Sequence, residues 1–165
     1  MRIAVVGYKV GPLHAALTKA GFTLTATAIP GTRGPSTTRK PSLVISYGGD
    51  GTSLYAERIY PGIPRILVRH SRTCKLCKVH DYTTLIRILK NKQYTIKEYL
   101  KLEASIIRAS GQPRRQVKRA DTAGLIALNE IAIHHKPPHA LRFTTSVSGT
   151  KTIIGDGVIV STPHG

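Results

Sequence analysis

The spacing of apolar residues changes once along this chain, and that change limits the folds open to it. Up to Lys90, short apolar runs alternate with stretches of helical spacing; from Tyr99 the period is two and helical spacing does not return. Arg2–Val6 reads as a buried strand, followed by a short helix over Pro12–Ala20 that Gly21 closes. Phe22–Ala28 predicts a second strand and Leu43–Ser46 a third, with a helix over Ser53–Tyr60 ended by Pro61 and Gly62. Arg65–Arg69 is a fourth strand. Asp81 can cap a helix over Tyr82–Lys90, whose Leu85, Ile86 and Leu89 share one face. Beyond Gln93, Leu100, Leu102, Ala104 and Ile106 alternate with Tyr99, Lys101, Glu103 and Ser105, and further strands are predicted over 124–134, 141–147 and 152–160. Alternating β and α followed by β alone predicts an α/β lobe with a parallel sheet at 1–95 and a β-rich lobe at 96–165.

A length of 165 residues suits one domain or two small lobes and is ample for a buried core. No apolar run approaches the ~18 residues of a membrane span, and Met1–Tyr8 is too short for a signal-peptide core, so a cytoplasmic protein is expected. Two cysteines, Cys74 and Cys77, do not make a secreted disulfide framework. With 25 Lys and Arg against 8 Asp and Glu, the net charge of +17 attracts polyanions; nucleic acid, nucleotides and polyphosphate all satisfy it. Pro30–Pro41, rich in Gly, Pro, Ser, Thr and cations, reads as a mobile basic loop. There is no internal repeat.

Carboxylates are scarce, so the places where they sit in patterns are informative. In Ser46–Thr52 (SYGGDGT), Gly48, Gly49 and Gly51 surround Asp50 directly after a buried strand. Glycines there let phosphates approach main-chain N–H groups, and the carboxyl end of a strand is where α/β proteins bind ligands. The string is not a P-loop, because no GK[ST] follows, and Gly7–Gly11 (GYKVG) does not match GxGxxG. Taken alone, Asp50 also fits a turn carboxylate bonded to local N–H groups, Asn129-Glu130 a polar pair at a strand edge, and Asp156 a hairpin turn residue before Gly157.

GGDGT, then Asn129-Glu130, then Gly155–Gly165 (GDGVIVSTPHG) come in the order and with the separations of the NAD kinases, which the chain resembles over nearly its whole length. GGDGT is shared with a wider clan of kinases; DGxIVSTP is the more specific string. The resemblance implies a Rossmann-like nucleotide-binding lobe followed by the opening strands of a β-sandwich-like lobe, with NAD in the cleft between them. It implies transfer of a phosphoryl group from ATP or polyphosphate, with Mg²⁺ on the donor phosphates, to the 2′-hydroxyl of the adenosine ribose of NAD. Asp50 would activate that hydroxyl, and Gly48, Gly49, Gly51 and Thr52 would lie near phosphates. Asn129, Glu130, Asp156, Ser161, Thr162, His164 and Gly165 would bind NAD. No metal ligand is assigned, and a homo-oligomer acting on small-molecule nucleotides is expected.

The chain departs from the family pattern in places. His164 stands where the family has Thr, and the string stops at Gly165 where relatives continue into GST and an aromatic residue, so the β lobe is expected to be incomplete. Arg69–His80 (RHSRTCKLCKVH) replaces the family's Asn- and Gly-containing turn. Its His70, Cys74, Cys77 and His80 form the ligand types of a structural zinc, set against plain loop thiols or a redox CxxC as the other readings. His134, His135 and His139 read as turn histidines that could also bind metal. The cations Arg33, Arg39, Lys40 and Arg114, Arg115, Lys118, Arg119 read as solvated faces or as polyphosphate contacts. Two other functions stay open: a basic nucleic-acid-binding module, which the aromatic-poor composition and the lack of a recognition motif do not favour, and an inactive nucleotide-binding relative.

Overall fold

A computed structural model describes residues 1–32, 39–105, 125–134, 136, 139–146 and 149–163. By contact, the chain divides into two units, Met1–Lys97 and Glu98–Gly165.

In the first unit the alternating pattern becomes β1 (Arg2–Gly7), α1 (Gly11–Lys19), β2 (Thr23–Ala28), β3 (Leu43–Gly48), α2 (Asp50–Ile59), β4 (Arg65–Arg69) and α3 (Tyr82–Lys90). The four strands form one parallel sheet in the order β2-β1-β3-β4. Successive side chains of a strand point to opposite faces, and here both faces are covered. Ile3, Val5, Ile45 and Tyr47 pack with Leu13 and Leu17 of α1 and Leu85 and Leu89 of α3. Ala4, Val6 and Val44 pack on the other side with Ala56 of α2 and with Tyr60. Pro12 falls in the first turn of α1, and the Asp81 carboxylate accepts the Thr84 N–H of α3 at 2.7 Å, as the capping pattern predicts. From β1 the chain steps to one side for β2 and returns to the other side of β1 for β3. The order therefore reverses between β1 and β3, and their carboxyl ends flank the crevice in which open α/β sheets place ligands.

One boundary moves in a way that matters. α2 starts at Asp50, not at Ser53, because Gly49 takes an extended conformation (φ −114°, ψ −169°) and its carbonyl accepts the Thr52 N–H at 3.0 Å. The carboxylate thus rides on the first helical turn instead of a preceding loop.

The second unit is built of antiparallel pairs: β5 (Leu102–Ala104) with β6 (Leu125–Ala127), β7 (Glu130–His134) with β10 (Gly157–Ser161), and β8 (Leu141–Thr145) with β9 (Lys151–Gly155). Two strands predicted as continuous are broken. The one over 124–134 is interrupted at Leu128-Asn129, whose carbonyls turn to Thr162; the one over 152–160 is interrupted at Asp156. The period-two run from Tyr99 forms a strand only at Leu102–Ala104, with Ile106 outside the described residues. The chain has an α/β first unit and a β second unit. No helix among the described residues is long and apolar enough to cross a membrane.

Candidate active site

β3 is buried from Leu43 to Tyr47 and then emerges as Gly48-Gly49-Asp50. The glycines are required by crowding. A Cβ at Gly48 would stand 2.3 Å from Thr52 Oγ1, and one at Gly49 would stand 2.8 Å from Ser71 Oγ and 3.2 Å from the Thr73 carbonyl oxygen. At Gly51 a Cβ would meet nothing within 4 Å, so the space over the first turn of α2 is open. Asp50 lies in that turn, where the helix dipole favours a negative charge.

Both carboxylate oxygens of Asp50 already accept hydrogen bonds from a segment far along the chain. The Lys75 N–H donates to Oδ2 at 3.0 Å and the Leu76 N–H to Oδ1 at 3.2 Å. Cys74 Sγ lies 3.2 Å from Oδ1, and Cys74 is joined to Cys77 in a disulfide, so this sulfur carries no proton and the approach is a contact. Below the site, the Tyr47 ring stacks on His70 with centroids 4.2 Å apart, and its hydroxyl shares a 2.7 Å hydrogen bond with that of Tyr82. Burial first, and the Tyr82 hydroxyl second, hold the Tyr47 phenol well above the usual tyrosine range, so it stays neutral.

The disulfide corrects the reading of Cys74 and Cys77 as plain loop thiols, and with it the zinc alternative. Its sulfurs are not thiolates, and the set His70, Cys74, Cys77 and His80 is not assembled: the sulfurs come within 4.8 Å of an Asp50 oxygen, and neither histidine joins them. Among the described residues His134 and His139 likewise belong to no such group, and His135 lies outside them. Arg39 and Lys40 are exposed, whereas Arg33 and the cluster Arg114, Arg115, Lys118 and Arg119 lie outside the described residues.

The second unit gathers another part of the predicted set. Ser161 pairs with Glu130 in the β7–β10 ladder, the Thr162 N–H donates to the Asn129 carbonyl at 2.7 Å, and the Thr162 hydroxyl donates to the Leu128 carbonyl at 2.8 Å. The two sequence strings therefore meet, and Thr162 is buried where they do. Asp156 is exposed at the opposite end of β10. At ~3.3 Å per residue the strand puts roughly 16 Å between it and Ser161. His164 and Gly165 lie outside the described residues. What the spacing of residues did not reveal is the contact of Cys74–Leu76 with Asp50; the only signal was that Arg69–His80 departs from the family's turn.

No family profile matches the chain. An NAD kinase of Sulfurisphaera tokodaii is 31% identical over 132 residues, which cover 78% of this chain and 47% of that protein. A bifunctional NADP phosphatase/NAD kinase of Methanocaldococcus jannaschii is 33% identical over 132 residues, covering 75% of this chain and 21% of its own length. The chain thus spans about half, or less, of the curated relatives it matches. In fold it is similar to the crystal structure of an NAD kinase from Archaeoglobus fulgidus in complex with ATP, with a TM-score of 0.63 at 23% identity over 98% of this chain and 60% of that one. With a glycine-flanked Asp50 at the reversal point of a parallel sheet and similarity over most of its length to proteins of one name, the chain belongs to the NAD kinase family.

Proposed function

We propose that the protein phosphorylates NAD, moving a phosphoryl group from ATP or polyphosphate to the 2′-hydroxyl of the adenosine ribose to give NADP. The observation that carries this reading is the Asp50 carboxylate, held on the first turn of α2 at the carboxyl ends of β1 and β3 with open space at Gly51 beside it. Phosphoryl transfer asks a protein mainly for positioning, charge stabilisation and a proton acceptor at the attacking hydroxyl. In this scheme the ribose hydroxyl gives its proton to Asp50 while its oxygen attacks the terminal phosphorus, and ADP or shortened polyphosphate leaves. Gly48, Gly49, Gly51 and Thr52 lie along the phosphates, which the amino end of α2 attracts. Asn129, Glu130, Asp156, Ser161, Thr162, His164 and Gly165 hold the dinucleotide.

Magnesium, arriving with the donor phosphates, supplies charge neutralisation. The hard oxygens of Asp50 are of the class it takes, and the paired sulfurs of Cys74 and Cys77 are not. The reading carries with it a cytoplasmic homo-oligomer with nucleotides as its partners.

The test is NADP formation by the purified protein from NAD, Mg²⁺ and either donor. Asp50→Asn keeps the size and removes the proton acceptor, and is expected to lower kcat by about 10²-fold or more. Unchanged turnover in that variant refutes the role of Asp50. No NADP from either donor refutes the activity, leaving an inactive relative, or a nucleic-acid module if RNA or DNA binds with a steep salt dependence.

A further inference from the structure

Arg69–His80, the segment that crosses Asp50, is fixed at its ends and held in its middle by one covalent bond. The Arg69 N–H donates to the Val79 carbonyl at 2.8 Å, Val68 and Val79 form a β-bridge, and the His70 N–H donates to the Gly48 carbonyl at 3.0 Å. Between these anchors Cys74 and Cys77 close a ring whose two inner residues are Lys75 and Leu76. Those are the residues whose N–H groups meet the Asp50 carboxylate. So small a ring limits the directions its inner amides can take, and the bond that closes it also keeps the donors on the carboxylate. Cys74 Sγ tolerates a carboxylate oxygen at 3.2 Å because a disulfide sulfur is uncharged. Reduction removes the ring, and a thiolate formed at Cys74 faces a like charge at that distance until it is protonated.

We propose that Cys74 and Cys77 form a reversible thiol–disulfide latch on Asp50: oxidised, the ring keeps the Lys75 and Leu76 amides on the carboxylate; reduced, it releases them. The partner is a dithiol reductant. Cys74 is half-buried and Cys77 buried, so the incoming thiolate attacks Cys74 Sγ, the S–S bond breaks and Cys77 leaves as a thiolate. The reductant's second thiolate then attacks its own sulfur in the mixed disulfide and displaces Cys74. The protein gains two electrons and, once both thiolates are protonated, two protons, while the dithiol becomes a disulfide. The exposed cations Arg72, Lys75 and Lys78 favour the thiolates as they form. The consequence for catalysis rests on the reading of Asp50 as proton acceptor: latched, the two amides hold the carboxylate in one direction, each on one lone pair of an oxygen, and released it is free to turn to a ribose hydroxyl.

The experiment compares protein oxidised with diamide and protein reduced with dithiothreitol, reading amide hydrogen exchange at Lys75 and Leu76 and, separately, NADP formation. Exchange at both amides is expected to be about tenfold or more faster in the reduced protein, and faster in oxidised Asp50→Asn than in the oxidised parent. NADP formation is expected to be several-fold faster after reduction, and the Cys74→Ser/Cys77→Ser double variant to stay at the reduced level under both treatments. Equal exchange in the two forms of the parent overturns the latch. An intact exchange contrast with no NADP from any form rejects the kinase reading and leaves the latch standing. An intact contrast with equal NADP formation overturns its control of the reaction.

Discussion

The two units treat their apolar residues differently. In the first, Ile3, Val5 and Ile45 are fully buried and every strand of the sheet has helices over it; in the second, Leu125, Ile126 and Ile159 are 62%, 66% and 69% exposed. Among the residues of the second unit whose side chains are described, Thr162 alone is buried, and it is held by hydrogen bonds. The contrast follows from connectivity. A parallel strand needs a crossover before its neighbour, and here each crossover helix brings an apolar face onto the sheet. Antiparallel pairs need no crossover, and a two-stranded ribbon on its own buries little. Asp50 therefore sits on a scaffold with its own core, whereas the Asn129–Thr162 cluster is positioned by main-chain pairing and two hydrogen bonds.

The strongest way to break this comparison is to make the same truncation in both units. Ile45→Ala removes side-chain volume from a layer with no exposure and is expected to cost about 2–5 kcal/mol in urea unfolding. Ile159→Ala, at 69% exposure, is expected to stay within about 0.5 kcal/mol. Similar losses at the two sites would show that the second unit has a core of equal weight. A sharper probe lies at the junction of core and site. Gly48→Ala would place a methyl group 2.3 Å from Thr52 Oγ1 and 2.9 Å from Thr52 Cβ, forcing the first turn of α2 away from β3. An overpacking cost of about 1–3 kcal/mol is expected, with the additional replacement Thr52→Gly recovering part of it; no recovery would mean that Thr52 is not the obstacle.

How far the sequence discloses this molecule depends on the range of the interaction. The four parallel strands, α1 and the face of α3 were legible because apolar runs and helical spacing are local, and Pro12, Gly21 and Asp81 punctuate them. The start of α2 was displaced because Gly49 and Gly51 have poor helix propensity, while closure onto the Gly49 carbonyl overrides it. The break at Asn129 is set by its bond to Thr162, a residue far along the chain, whereas the one at Asp156 falls in Gly155-Asp156-Gly157, whose residues also fit a turn. Within the site, the Gly48–Thr52 string was conspicuous and its neighbours were not. Nothing in CKLC says that its amides turn to a carboxylate 25 or 26 residues earlier.

The smallest effect tests whether the first unit's stability reaches the second. Asp81 caps α3, whose Leu85 and Leu89 lie in the core, and the Thr84 N–H holds its carboxyl below the usual aspartate range. A carboxyl lowered by folding contributes stability above its unfolded pKa and loses it as pH falls through the folded value. Asp81→Ala is therefore expected to lower Tm by a few degrees at neutral pH, with the difference closing as pH falls below the usual aspartate range. Asp81→Asn, which keeps the acceptor and cannot ionise, is expected to lie near the parent at neutral pH and above it in acid. Hydrogen exchange should quicken in α3 and leave the β7–β10 ladder unchanged. Equal quickening in both would mean that the units open together, and the separation drawn from their burial would not hold in solution.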